Sequence, residues 1–265
     1  MRIYPMSLYE SGSSNGLVSL LDLYNGKTFH EGIILELPNL REIAKLCVKG
    51  GWPENISQED EKIFSKLPKH YIDAICNDDF NDEEYYSPVK LNQTLLSLAR
   101  NESTLASAKT ILNDIKCFDE DEDESVLSSK NTLIKYLDYL KRLYVIDDVN
   151  AFSLNYKSTA RLGKNAKRHL VDPSLACALL KLSSEKLMMN HTMFGYMFES
   201  LVLRDLRIYM DYLDGAIYHF RDNLSGDEVD AILEFEDGGF ACCEIKLTHN
   251  LIDEGKKSLL KFYKT

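Results

Sequence analysis

Near its C-terminal end the chain carries side chains whose types and spacing suit metal-assisted phosphoryl chemistry. Asp230 is followed, after 13 intervening residues, by Glu244-Ile245-Lys246. Two carboxylates brought to one place, with Glu199 added from a neighbouring helix, supply the oxygen ligands that a hard divalent cation such as Mg²⁺ or Mn²⁺ takes. Such an ion polarises a phosphodiester and lowers the pKa of a bound water. In this reading Asp230 and Glu244 are metal ligands and Glu199 is an accessory ligand or water orienter. Lys246 is an electrostatic catalyst that stabilises charge developing on the phosphoryl oxygens. The same residues also suit a plain salt-bridged polar face, because charges set among Ala241, Cys243, Ile245 and Leu247 need partners.

Positioning these groups requires a hairpin and a helix. Apolar alternation predicts strands over 216–220, 228–235 and 240–247, with Glu228, Asp230, Ile232 and Glu234 on one face of the second and Cys242, Glu244 and Lys246 on the matching face of the third. Asp237-Gly238-Gly239 suits a three-residue loop ending in a left-handed glycine, which pairs Glu236 with Phe240, Ile232 with Glu244 and Asp230 with Lys246. A loop one residue shorter or longer would send the two sets to opposite faces. Before the strands, a helix is predicted from Met193 to Leu213 with Phe194, Phe198, Leu201, Val202, Leu206, Tyr209 and Leu213 as its buried stripe. Glu199 lies beside that stripe, one turn beyond Gly195, whose missing side chain would admit a neighbouring backbone. The tail around Lys256-Lys257, with Leu259, Leu260 and Phe262, reads as an amphipathic helix on the sheet, its lysines candidates for a substrate phosphate.

The first part of the chain is helical in pattern. Two helices are predicted between Leu37 and Asp79, separated by Gly50-Gly51-Trp52-Pro53, with Trp52 as a packing anchor. Three more cover 91–100, 105–115 and 129–143, and a short strand covers 144–149. Three compact helices followed by a strand suggest a winged helix, a relative of DNA-reading helix-turn-helix units. The acidic run 119–124 between the second and third helices reads as a solvated loop whose charge repels phosphate. Lys157, Arg161, Lys164, Lys167 and Arg168 form a stretch free of acids that could meet a nucleic-acid backbone, or could be a solvated connection between domains. Asp172-Pro173 opens a helix as N-cap and first-turn proline. Gly26-Lys27-Thr28 is not a phosphate loop, since the required earlier glycine is Leu21, so a nucleotide site is not expected.

The composition narrows the function classes. At 265 residues, with 45% hydrophobic and 28% charged residues, the chain must fold around cores and is not disordered or fibrous. No stretch approaches the ~20 apolar residues of a membrane span, and the N-terminus lacks a signal-peptide pattern, so a cytoplasmic protein with no membrane partner is expected. A net charge of −11 argues against nucleic acid coating the whole surface. The charge is uneven: residues 1–155 carry 16 basic and 26 acidic side chains, residues 156–265 carry 15 and 16, which leaves room for a local basic face in the second part. The six cysteines have no C-x-x-C spacing and read as reduced, buried thiols, with Cys242 and Cys243 leaving a strand on opposite faces. The six histidines show no metal-ligand spacing.

The helix glutamate Glu199, then Asp230, then Glu244-x-Lys246 resembles the PD-(D/E)XK, restriction-endonuclease-like pattern. The surrounding runs Lys167-Arg168-His169-Leu170-Val171-Asp172-Pro173-Ser174-Leu175-Ala176, Phe194-Gly195-Tyr196-Met197-Phe198-Glu199-Ser200-Leu201-Val202 and Glu228-Val229-Asp230-Ala231 are similar to the region that follows the ATPase core in prokaryotic AAA-type ATP-binding proteins, domain of unknown function 4143. The resemblance extends to Pro5-Met6-Ser7-Leu8 and Glu10-Ser11-Gly12 as the end of an ATPase core, and to Gly51-Trp52-Pro53 as the start of the following region. It implies an α+β protein: residues 1–36 as the tail of an ATPase core or a linker, 37–155 as a helical and winged-helix region, and 156–265 as a restriction-endonuclease-like α/β domain. That domain is expected to be partial, since relatives continue with further sheet beyond Glu-x-Lys. The expected role is a DNA-associated, non-catalytic or regulatory module of an ATPase held in cis or in trans. The alternatives are a Mg²⁺- or Mn²⁺-dependent DNA phosphodiesterase and a protein-interaction module.

Overall fold

The computed structural model describes residues 3–28, 38–77, 86–118, 129–153, 166–222 and 226–263. Its helices are α1 (Leu20–Tyr24), α2 (Leu40–Lys49), α3 (Glu61–Phe64), α4 (Lys66–Asn77), α5 (Pro88–Arg100), α6 (Ala108–Phe118), α7 (Lys130–Arg142), α8 (Pro173–Leu179), α9 (Ser184–Met189), α10 (His191–Tyr212) and α11 (Ile252–Tyr263). Its strands are β1 (Asn150–Ala151), β2 (Ala216–Arg221), β3 (Glu228–Glu234) and β4 (Phe240–Cys243). The architecture is α+β, a helical body against an open mixed sheet of order β1-β2-β3-β4 in which β1 runs parallel to β2 and the other pairs are antiparallel. Among the described residues no helix is long and apolar enough to cross a membrane. The acidic run 119–124 and the positions Lys157, Arg161 and Lys164 lie outside the described residues.

Local signals in the chain account for the helix starts. Asn39 and Glu42 form a reciprocal capping box at α2. Ser129 caps α7 through Thr132 N–H, and Asn190 caps α10 through Met193 N–H. The helical body closes around Leu91, Leu95, Ile111, Leu133, Leu140, Leu175 and Phe194. The sheet has two smaller apolar clusters, one holding Ala231, Leu233 and Phe235 against Leu203 and Met210 of α10, the other Val229 and Ile232 against Phe152, Leu259 and Phe262.

α10 departs from the single stripe expected of it. Phe194, Met197 and Leu201 are buried in the helical body, whereas Leu203 and Met210 are buried under the sheet. Phe198 and Val202 are only partly buried. A helix that crosses from one core to another must turn different sides to each, so its apolar residues cannot share one face. Gly195 does not admit another backbone, for a Cβ placed there meets nothing within 4 Å. Of the cysteines, Cys47, Cys76 and Cys177 are buried as expected, but Cys117 is exposed. Cys242 packs in one sheet cluster and Cys243 in the other, on opposite faces.

Asp172 caps α8 through Ser174 N–H at 2.9 Å and does more than cap. Its other oxygen accepts from Gly51 N–H at 2.9 Å and from Arg204 at 3.0 Å. Arg204 also binds Asp205, which accepts the Leu8 N–H at 2.8 Å, and Met6 N–H donates to Gly51 O at 2.7 Å. A buried arginine thus joins the N-terminal segment, the Gly50-Gly51 turn, α8 and α10. Trp52 anchors the same turn, its ring packed at a tilt of 50° against Tyr71 and its Nε1–H donating to Ser174 Oγ at 2.8 Å. The turn needs glycine: a Cβ on Gly51 would fall on Met6 backbone atoms, which cannot swing away as a side chain would.

Beside this network, Glu102 is 1% exposed. It lies 3.0 Å from His169 Nδ1 and accepts from Ser200 Oγ at 2.8 Å and Leu170 N–H at 3.0 Å. Burial pushes its pKa up to about 8, with the Leu170 and Ser200 hydrogen bonds pulling it back only in part. Burial, reinforced by Arg207, Lys167 and His219, holds His169 well below the ordinary imidazole range, so its ring is neutral.

Two stability predictions follow from these contacts. Gly51→Ala should cost about 1–3 kcal/mol in urea unfolding because it drives the N-terminal segment off the body, whereas Gly195→Ala, in open space within a helix, should gain about 0.5–1 kcal/mol. For Glu102, the folded-state pKa of about 8 lies above the unfolded value of 4.5. Its contribution is therefore fully present below pH 4.5 and is lost as pH rises toward 8. Thermal melts of the wild type and Glu102→Gln across that window should diverge in slope, the variant losing less stability as pH rises.

Candidate functional site

The hairpin that positions the acidic residues has a three-residue loop, but it is set one residue earlier than the sequence suggests. Phe235 N–H donates to Gly239 O at 2.8 Å, closing Glu236-Asp237-Gly238, with Gly238 in the left-handed region at φ 81°. The register therefore places Glu234 opposite Phe240 and Ile232 opposite Cys242, not Glu236 opposite Phe240 and Ile232 opposite Glu244. Moving a three-residue loop by one position shifts both arms together, so the pairing slips by two residues and the faces are kept.

A β-bulge sets the direction of Asp230. Tyr218 pairs with Ile232 and Phe220 with Val229, so His219 alone faces the two residues Asp230 and Ala231. Strict alternation along β3 fails there: Val229 and Ile232, of opposite parity, pack in one cluster. Bulges of this kind re-aim side chains. β4 ends at Cys243, and the Ile245 N–H that would continue the ladder donates instead to Asp230 Oδ2 at 2.9 Å. The aspartate thereby holds the backbone just ahead of Lys246.

Glu199, Glu228, Asp230, Glu244, Lys246 and Lys167 meet in one cleft of about 490 Å³, whose walls include Ser103, Thr104, Tyr196, Arg221, Glu254 and Ser258. Lys246 Nζ lies 2.5 Å from Glu244 Oε2 and 3.4 Å from Asp230 Oδ2. Lys167 Nζ lies 2.6 Å from Glu199 Oε1, 3.3 Å from Asp230 Oδ1 and 3.4 Å from Glu228 Oε1. α11 closes over the site at Gly255, where a Cβ would stand 3.3 Å from Glu244 Cβ. Leu259 and Phe262 hold α11 on the sheet, Leu260 stays exposed, and Lys256 and Lys257 point to solvent instead of lining the cleft.

The charge states follow from these contacts. Burial works against the charge on Lys167, but Glu199, Asp230 and Glu228 outweigh it and hold the ammonium above its usual pKa. Burial likewise pushes Glu199 up, and Lys167 offsets it only in part, leaving a pKa of about 7. Asp230 is buried too, yet Lys167, the Ile245 N–H and Lys246 together bring it below the usual carboxylate value. Burial raises Glu244 despite its bond to Lys246.

The donor set is of the kind that Mg²⁺ or Mn²⁺ takes, hard carboxylate oxygens, but the arrangement does not fit an ion. A divalent metal needs several oxygens converging at about 2.0–2.2 Å. Here both oxygens of Asp230 are engaged by Lys167, Ile245 N–H and Lys246, and Glu244 is engaged by Lys246. Among the described residues, no group of three or more His, Cys, Asp or Glu side chains is arranged to hold a metal ion.

Of the five basic residues grouped as a nucleic-acid contact, the two described ones face inward. Lys167 is 2% exposed, and Arg168 donates to Asp148 at 2.6 Å and to Ala106 O at 3.0 Å. The stretch 157–168, expected to meet a nucleic-acid backbone or to connect domains in solvent, holds no acids, and nothing in it marks Lys167 as the partner of Glu199, Glu228 and Asp230.

Comparison with known families divides the chain in two. Residues 194–265 match the model described as Domain of unknown function (DUF4143), which covers α10, β2–β4, α11 and hence Glu199, Asp230, Glu244 and Lys246. Residues 40–186 match the model described as Domain of unknown function (DUF8612), which covers the helical body and Lys167. No curated protein and no solved structure matches. The cleft is therefore built by both matched regions, and since the DUF8612 match, residues 40–186, spans more than half of the 265 residues, the chain belongs to the DUF8612 family.

Proposed function

We propose that this chain is a DNA-associated module of an AAA-type ATP-binding protein, regulatory and not catalytic, in which a winged-helix region built on α5–α7 precedes a nuclease-like domain. The ATPase is supplied in cis or in trans. The observation that carries the non-catalytic reading is charge saturation of the cleft: each carboxylate that could accept a metal already accepts an ammonium or a backbone N–H. The association with DNA rests on the resemblance of Glu199, Asp230 and Glu244-x-Lys246 to the PD-(D/E)XK pattern and on the basic positions Lys157, Arg161 and Lys164.

One observation favours the second reading, a metal-dependent DNA phosphodiesterase in the cytoplasm. Asp230, Glu244, Lys246 and Glu199, separated by up to 47 positions in the chain, meet in a single cleft, which is the grouping that phosphodiester hydrolysis requires.

Two measurements separate the readings. Supercoiled plasmid incubated with the wild type and Mg²⁺ or Mn²⁺ should remain intact; nicking that disappears in Asp230→Ala with Glu244→Ala would establish the phosphodiesterase instead. Fluorescence anisotropy with labelled duplex should show binding at low salt, and neutralising Lys157, Arg161 and Lys164 should reduce the slope of log K against log salt by about 2–3. Absence of binding at every salt concentration would remove DNA as the partner.

A further inference from the structure

Lys167 belongs to the wrong place for a surface contact and the right place for a cation. Its backbone exchanges hydrogen bonds with Val149 at 2.8 and 2.9 Å, and its neighbour Arg168 is tied to Thr104 and Asp148. The segment is thus fixed at both its main chain and its flank, and the lysine side chain runs inward to end among Glu199 of α10 and Glu228 and Asp230 of β3. An ammonium so buried survives only with opposite charges around it, and those carboxylates survive only with a cation between them.

We propose that Lys167 is a covalently tethered cation that occupies the metal position of the cleft, so that the domain keeps the carboxylates of a metal site while dispensing with the metal. This rests on the non-catalytic reading above and deepens it by naming the group that enforces it. The charges agree: Glu199, Glu228, Asp230 and Glu244 face two ammonium groups and, at Glu228, the Arg221 guanidinium, so deleting Lys167 leaves four carboxylates facing Lys246 and Arg221. A divalent ion is then the counter-charge the cluster lacks, and the space vacated by Nζ lies among three of its oxygens. The lysine comes from the DUF8612 region and the carboxylates it pairs with from the DUF4143 region, so the same pair that excludes the metal also fastens the two regions together.

The test uses the full chain with Mn²⁺ as probe. Lys167→Met removes the charge at nearly constant volume, and Lys167→Gln keeps a hydrogen-bond donor. Electron paramagnetic resonance titration should show no Mn²⁺ held by the wild type and about one equivalent held by either variant, lost again when Asp230→Asn is added. Thermal melts should show the variants shifted down by several degrees in chelator and recovering in millimolar Mn²⁺, with the wild type indifferent. If neither variant folds without metal, refolding in Mn²⁺ decides, recovery supporting the proposal and its absence overturning it. Wild-type Mn²⁺ binding that Asp230→Asn abolishes, or folded variants that hold no Mn²⁺, would also overturn it. Plasmid nicking by the wild type tests the non-catalytic reading separately, since a Lys167 variant can gain Mn²⁺ whether or not any cleavage occurs.

Discussion

A charge taken out of water must meet its opposite inside the protein, and two buried cations impose that requirement on most of this molecule. Arg204, 3% exposed, draws Asp172 and Asp205 to it; the Asp172 oxygen that it binds also accepts the Gly51 N–H, and the second oxygen of Asp205 accepts the Leu8 N–H. Lys167 draws Glu199, Glu228 and Asp230. Between them they tie the N-terminal segment, the Gly50-Gly51 turn, α8, α10 and β3 into one connected body. Breaking either set would leave carboxylates buried without partners, which costs far more than an exposed ion pair contributes. The two networks share α10, with Glu199 and Arg204 on the same helix, so the helix that crosses from the helical core to the sheet is pinned by charge in both places.

How far the residues alone could reach depended on the range of the interaction. Features set within a few positions were readable: the Asp172-Pro173 start of α8, the strand carrying Asp230, a three-residue hairpin loop and the packing role of Trp52; the left-handed residue, however, is Gly238 and not the expected Gly239, and β4 stops at Cys243, short of Glu244. Asp230, Glu244 and Lys246 converge despite the two-residue error in register, though not through strand parity: the β3 bulge re-aims Asp230, and Glu244 and Lys246 lie past the end of β4, where the Ile245 N–H bond to Asp230 holds the backbone. What could not be read was set by distant partners. Nothing near Lys167 in the chain shows that Glu199, Glu228 and Asp230 await it, and nothing near Arg204 shows Asp172. The β3 bulge was equally hidden, since it is a property of the pairing with His219 and β3 by itself reads as a regular alternating strand. The single buried stripe assigned to α10 failed for the same reason: two cores claim different sides of one helix.

The charge around the cleft constrains what can enter it. Its walls carry Glu199, Asp227, Glu228, Asp230, Glu244 and Glu254 against Lys167, Arg221 and Lys246. Arg221 and Lys261 at the edge are themselves held by Glu228 and Asp227, and Lys167 by its three carboxylates. Protonation of Glu199, whose pKa sits near 7, relieves the excess by one charge at most. A phosphate approaching this opening meets a surplus of negative charge at distances too short for salt to screen, within the ~8–10 Å Debye length of ordinary buffers. This cleft therefore disfavours a polyanion, and the ion pairs of Lys167 with Glu199, Glu228 and Asp230 tie together the two regions that build it.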